Sequence, residues 1–227
     1  MSLLARAFED GLVRCRSLAD LAEGHSTRAK LMSAAEHLFG EHGLDTVSLH
    51  ALAAEAGQAN KYAVQYHFGD RDGLVNEVFK TRFKYIEERR SFYLDVAREH
   101  KLEIDLKTIA TITMLPFAEQ VDEEGNLSFA KFLLQYFIQF SPWDGIPFPV
   151  RNEPNISTQL FYMIVDALPE IQQQQLSKRT LLLAHLPLIA LIEAENVARS
   201  KKKKLSVEAT LRDVVSMWAA AVSVNSV

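Results

Sequence analysis

The sequence predicts an all-α protein. Apolar residues recur at spacings of three and four, and only 9 Gly and 7 Pro punctuate 227 residues. Long apolar helical stretches also return throughout the second half.

With 48% hydrophobic content, a chain of this length can bury roughly 70–75% of its extended surface in one or two domains. Charged residues make up 24%, ordinary for a globular chain. No uninterrupted apolar run reaches about 18 residues, so no membrane span is expected. The opening stretch, MSLLARAFEDGLVRCR, mixes acidic and basic groups into its apolar part, unlike a signal peptide. A cytoplasmic location is the expectation. Cys15 is the only cysteine. It cannot form an intramolecular disulfide and is read as a small buried or half-buried thiol. The net charge of −4 gives no overall basic footprint, so contact with nucleic acid would rest on local patches.

Residues 1–25 form an arm or short helix, with Leu4, Phe8, Leu12 and Cys15 at helical spacing. Ser26 or Thr27 can cap the next helix, which carries Leu31, Ala34, Ala35, Leu38 and Phe39 on one stripe and closes at Gly43. Thr46 and Ser48 open a short helix with Leu49, Leu52, Ala53 and Ala56 inward, ending at Gly57. Gln58 to Lys61 then lead into a third helix, Tyr62 to Phe68. Asp70 can cap a long fourth helix whose apolar face is Leu74, Val75, Val78, Phe79, Phe83 and Ile86, with Asp72 suited to its positive end. Further helices are expected at roughly 104–121, 126–140, 154–168, 176–199 and 206–223. Pro187 kinks or restarts the fourth of these.

Two short helices joined by a Gly-containing corner are the helix-turn-helix pattern. Ala53 and Ala56 permit close approach of the pair, and Gly57 tolerates the positive φ of the corner. The second helix must present hydrogen-bonding side chains to the major groove. Gln58, Asn60, Lys61, Tyr62, Gln65, Tyr66 and His67 are crowded together there, while Ala63, Val64 and Phe68 face the support. Asn and Gln can read adenine edges, and Lys can read guanine or bind phosphate.

The run TRAKLMSAAEHLFGEHGLDTVSLHALAAEAG followed by YHFGDRDGLVNEVF resembles the DNA-binding region of tetracycline-repressor-type regulators. The matching features are a first helix ending in an aromatic and His-Gly, a Ser-Leu-x-x-Leu-Ala second helix, and Tyr-His-Phe before an acid-capped fourth helix. The resemblance covers roughly residues 26–90. It implies a DNA-binding domain at 26–75, a helical regulatory and dimerisation domain at 76–227, and a homodimer on double-stranded DNA. It also implies repression relieved by a small-molecule effector. Ser48, Tyr66, His67 and Arg71 are expected to touch the DNA backbone, in keeping with hydroxyls and helix starts at phosphates. One departure stands out. The family usually spaces its corner glycine ten residues before the phenylalanine ending the third helix, whereas Gly57 and Phe68 are eleven apart. Either the turn is longer or the helix is reoriented, which shifts the reading positions between Asn60 and Val64. From Arg28 to Arg90, nine Lys/Arg balance nine Asp/Glu, so charge alone would not have pointed to DNA.

In the C-terminal half, LLLAHLPLIALIEA (181–194) is apolar nearly all round and demands burial on more than one side. The last helix places Leu211, Val214, Val215, Trp218 and Val222 on one stripe. Two such helices from each of two subunits would make a four-helix interface, with Leu182, Leu186, Ile189, Glu193, Leu211, Val215, Trp218 and Val222 as its expected residues. Aromatic density between Phe117 and Tyr162 suits an apolar effector pocket. Its candidate lining is Met114, Phe117, Phe132, Tyr136, Phe140, Trp143, Phe161 and Tyr162. For any one of these taken singly, ordinary core is the favoured reading. The loop 141–150 is placed to cover one pocket end. Lys201–Lys204 reads as a solvated loop. The histidines lack metal spacing, and no catalytic constellation or phosphate-binding glycine loop is present, so no metal, cofactor or enzymatic activity is expected. The alternative is a helical interaction module or ligand-binding protein without operator binding.

Overall fold

The computed structural model describes residues 2–22, 26–60, 62–140 and 155–224. Among these it contains twelve helices and no strand. In chain order they are α1 (Leu3–Glu9), α2 (Leu18–Leu21), α3 (Thr27–His42), α4 (Leu49–Glu55), α5 (Ala63–Phe68), α6 (Arg71–Glu99), α7 (Leu106–Ala118), α8 (Ser128–Phe140), α9 (Ile156–Ala167), α10 (Gln173–Leu183), α11 (His185–Ser200) and α12 (Val207–Val222). They form two compact units.

One unit comprises Cys15–Tyr85 and Glu119–Gln139. It holds α2 to α5, the first half of α6, and α8. The capping chemistry legible in the sequence is in place. Ser26, not Thr27, caps α3, accepting from the Ala29 amide at 3.2 Å. Gly43 ends that helix at φ +88°, Ser48 caps α4 by accepting from Ala51 N, and Asp70 accepts from Gly73 N at 2.7 Å. Each satisfies an amide or turn that the helix itself leaves open. The core is Leu31, Met32, Ala35, Phe39, Leu52, Val64, Leu74 and Val78, all buried. At Gly40 an added Cβ would lie 3.1 Å from the Phe132 amide and the Ser128 carbonyl, so the missing side chain sets how closely α8 lies on α3.

A buried polar centre runs through this core. The fully buried Arg82 donates two bonds to Glu36, at 2.6 and 2.5 Å, and one each to the carbonyls of Arg16 and Val121, at 2.9 and 3.1 Å. The Arg16 carbonyl also accepts from the Val121 amide in a short parallel bridge between Arg16 and Gln120. The loop after it is organised by Asp122, which accepts from the amides of Glu124 and Asn126, from the Asn126 side chain and from Ser128 Oγ. Partial burial works against its charge. The hydrogen bonds from Ser128 and Asn126 prevail and hold the carboxyl below its ordinary range.

The other unit comprises Met1–Arg14, Ile86–Ala118 and Phe140–Val227. Here α12 packs on α7, α10 and α11, α9 packs on α7, and α1 packs on α7 and α12. Two buried arginines of α6 are satisfied within it. Arg89 donates to the Leu12 carbonyl and to Tyr93 Oη. Arg90 donates to the Thr113 carbonyl, Ser157 Oγ and Glu87. Burial lowers the Arg90 pKa, and Glu87 opposes the shift.

Several elements differ from expectation. The leading segment is two helices, and Leu12 and Cys15 fall between them. Cys15 is exposed rather than buried. The stretch expected at 176–199 is two helices broken at Ala184, with Pro187 in the first turn of α11, where its missing N–H costs no intrahelical bond. The expected boundary at 75/76 falls inside α6, one continuous helix whose first part belongs to one unit and second part to the other. Phe132 and Tyr136 lie in the helix-turn-helix unit, where Tyr136 stacks on Phe79 at 4.3 Å. Met114, Phe117, Phe161 and Tyr162 lie in the other. Trp143 and the loop 141–150 lie outside the described residues.

The interface set also divides. Leu211, Val215, Trp218 and Val222 are at most 5% exposed within one chain. They are spent on the contacts of α12 with α7 and α11 and leave no surface for a partner. Leu182, Ile189 and Glu193 are exposed, and Leu186 is half-buried. Beside them the outer faces of α11 and α12 expose Val197 and Met217, and Val224 follows.

Candidate nucleic-acid interface

The geometry starts from small residues. Leu52 and Ala53 of α4 and Ala56 just after it are buried, as are Ala63 and Val64 of α5, so the two helices approach through three alanines, one leucine and one valine. Between them Gly57 adopts φ +65°, a conformation that costs glycine least. The corner closes by Gly57 N to Ala54 O and Gln58 N to Ala53 O, at 2.9 and 2.8 Å. With the apolar edge of α5 turned inward, its other edge presents Tyr62, Gln65 and Tyr66 outward. Tyr62 is 57% and Tyr66 83% exposed. Exposed tyrosines cost apolar hydration unless a partner covers them.

The polar residues of the corner divide into two groups. Gln58 is half-buried and donates from Nε2 to the Ala56 carbonyl at 3.0 Å. Asn60 accepts from the Tyr62 amide through Oδ1 at 2.9 Å, an Asx turn that launches α5. Both therefore belong to the turn that α5 follows. α4 ends at Glu55 and α5 begins only at Ala63. Gln65 and Tyr66 remain on an open face. His67 is half-buried, edge-on to Tyr66 at 4.9 Å. Lys61 lies outside the described residues. Ser48 Oγ is exposed and accepts one amide, leaving its proton for a further acceptor.

Arg71 is the residue from which the resemblance implies a DNA-backbone contact at the start of α6. It is half-buried, and its guanidinium donates to the carbonyls of Asp45 at 3.2 Å and Val47 at 2.7 Å. Its charge is spent on the loop that leads into α4. Sequence reasoning missed Arg28. On α3 it pairs with Glu77 of α6 and lies over the Phe68 ring, 4.9 Å from its centroid. It also missed Gly73, where an added Cβ would meet the Phe68 carbonyl at 2.1 Å. The available signal was charge on an otherwise apolar helix face: Arg82 interrupts the stripe Val78, Phe79, Ile86, and Arg28 precedes Leu31 and Met32.

Among the described residues the face is weak in cations. Arg28, Arg71 and Arg82 are all engaged within the unit. Lys30 is exposed on α3 and His50 on α4. The described residues offer chiefly neutral donors, helix starts and tyrosines there.

Residues 31–78 match the family described as bacterial regulatory proteins, tetR family. The match begins within α3 and ends within α6, so it contains the whole two-helix corner and the helix ends that support it. No curated protein matches the chain.

Proposed function

From its place among the bacterial regulatory proteins of the tetR family, we propose that this chain is a homodimeric repressor whose α5 reads a palindromic operator. A small-molecule effector relieves the repression. The observation that carries this reading is the α4–α5 corner, with its apolar edge buried and Tyr62, Gln65 and Tyr66 exposed on the other. Bases would be read by Gln65 and Tyr62, and by Lys61, whose position lies outside the described residues. Phosphates would meet Ser48, Tyr66 and the His67 edge. Asn60 and Gln58 would act by setting the pitch of α5. A recognition helix reads chiefly through its first residues, which here are Tyr62 and the α5 turn that follows.

One such helix binds DNA weakly, so a second copy is required. The surface best suited to hold it is the outer face of α10, α11 and α12, where Leu182 is 72%, Met217 56%, Val197 47% and Ile189 46% exposed. The stretch Gln173–Ser200 contains an 18-residue window of mean hydropathy 1.5, but it breaks at Ala184 and carries Glu193 and Glu195. A membrane span would need about 20 predominantly apolar residues in one helix, so a partner helix pair is the better cover. In such a dimer the two α5 helices would enter successive major grooves when about 34–36 Å apart. An effector preferring another spacing would release DNA by its differential affinity.

The effector would bind in the unit that carries α7 and α9 to α12. A cleft of about 440 Å³ there is lined by Ser91, Asn155, Ile156, Thr158, Gln159 and Tyr162. Its lining combines the apolar surface of Ile156 and Tyr162 with the polar groups of Ser91, Asn155, Thr158 and Gln159, so it suits a ligand with both apolar and hydrogen-bonding parts. The deciding experiment is selection of duplexes from a random library by the purified protein, followed by sizing of the protein free and bound. Enrichment of an inverted repeat bound by two chains is the expected result. Failure to enrich any sequence would refute the reading.

A further inference from the structure

The first turns of α6 carry three contacts to the two ends of the α4–α5 corner. At the entry, Arg71 donates to the carbonyls of Asp45 and Val47, immediately before the Ser48 cap of α4. At the exit, the Phe68 carbonyl that ends α5 lies so close to Gly73 that no Cβ fits, at 2.1 Å. Phe68 itself is held under Arg28, whose guanidinium pairs with Glu77 one turn further along α6. Asp70 fixes the start of α6 by accepting from Gly73 N at 2.7 Å.

We infer that Arg71 is a positioning residue that sets the entry of the α4–α5 corner, with Gly73 and the Arg28–Glu77 pair setting its exit, and that it is not a phosphate contact. The inference rests on the DNA-reading proposal above. The geometry supports it in three ways. A guanidinium fork can satisfy two carbonyls at once, which a single ammonium cannot. Carbonyls of a loop that precedes a helix have no helical donor of their own, so buried ones need this partner. And the same helix turn touches both ends of the corner, so its contacts fix the tilt of α5 as well as its position. Asp45 and Val47 lie three and one residues before Ser48, so Arg71 acts on the phosphate-facing hydroxyl through the backbone that carries it.

A positioning role and a phosphate contact give opposite results in one titration. The probes are the duplex enriched by the wild-type protein and its scrambled counterpart, each titrated between 50 and 200 mM salt. The variants are Arg71→Lys, Arg71→Ala and Gly73→Ala, each checked by circular dichroism for retained helix. Lysine keeps the charge and loses the fork. For a positioning residue, Arg71→Lys and Arg71→Ala both lose about tenfold in the ratio of enriched to scrambled affinity, the order expected from losing a charge-assisted hydrogen-bond pair. The salt slope stays where it was, and Gly73→Ala lowers the ratio in the same way through the other end of the corner. Restoration by lysine, or a slope reduced by about one on both duplexes with alanine, makes Arg71 a phosphate contact and overturns the inference. So does an unchanged ratio in the folded Arg71 variants. A wild type that enriches no duplex removes the DNA reading itself, and the positioning role with it.

Discussion

Replacing Glu36 by alanine should be among the most costly single changes in the helix-turn-helix unit. Glu36 is 2% and Arg82 0% exposed. The carboxylate takes two of the four bonds that Arg82 makes, at 2.6 and 2.5 Å. After the change, the guanidinium keeps only the carbonyls of Arg16 and Val121. It would sit in the core with its charge uncompensated. Breaking a buried pair from one side costs about 3–5 kcal/mol. For a chain of 150–250 residues each kcal/mol lowers Tm by about 2–4 °C, so a fall of roughly 6–20 °C is expected. Thermal melting at one fixed protein concentration checks it, since a dimer's Tm moves with concentration. Replacing both residues by methionine removes the charge with its partner and should recover most of the loss, because apolar replacement of a whole buried pair is often near neutral. A Glu36→Ala chain melting within about 2 °C of the wild type, corresponding to under about 1 kcal/mol, would refute the reasoning. So would a double replacement as damaging as the sum of its parts.

Met217→Glu places a charge on the exposed outer face of α12 and should convert dimer to folded monomer on a sizing column. Trp218→Glu, one residue along but 3% exposed, should instead unfold its unit. Gln65→Ala should cost about 1–3 kcal/mol of discrimination between enriched and scrambled duplexes if it makes a bidentate base contact, read by binding titration; equal loss on both duplexes would assign it to the backbone. Asp122 has a folded pKa below its unfolded value, so its contribution to stability is present above the unfolded pKa, about 3.9. That contribution is lost as pH falls through the depressed folded value. Asp122→Asn should therefore flatten the wild-type loss of stability below about pH 4, as measured by urea unfolding across pH.

The local chemistry of the fold was legible because it is written in adjacent residues. Ser26, Gly43, Ser48, Gly57 and Asp70 sit at the ends of helices that they cap or close, and each acts on an amide or dihedral within a few residues of itself. The corner was legible for the same reason: Ala53, Ala56 and Gly57 must be small or permissive whatever surrounds them. What the sequence hid depends on partners far along the chain. Arg71 reads as a cation at a helix start, which suits a phosphate, until the loop at 45–47 is seen beside it. Trp218 reads as half of an interface, because a stripe of Leu211, Val215, Trp218 and Val222 demands a cover without saying which. In the structure α7 and α11 supply it.

The same limit explains the dispersed aromatic residues. Composition places Phe132 and Phe161 in one rich segment, but burial is decided by which helix each one faces. α8 turns Phe132 and Tyr136 into the helix-turn-helix unit, and α9 belongs to the other. A segment dense in aromatics therefore divides its apolar surface between two cores, and the cleft in the second unit has a mixed wall, with Ser91, Asn155, Thr158 and Gln159 beside Ile156 and Tyr162. Asn155 and Thr158 are half-buried and already bonded to each other, so a ligand there meets a partly satisfied polar edge beside apolar surface. A ligand that covers Ile156 and Tyr162 while bonding to that edge would gain more from this wall than a purely apolar or purely polar one of equal size. The effector is therefore to be sought first among amphipathic small molecules, by thermal shift of the wild type against Thr158→Val. A compound that stabilises both equally would not be using the polar wall at Thr158.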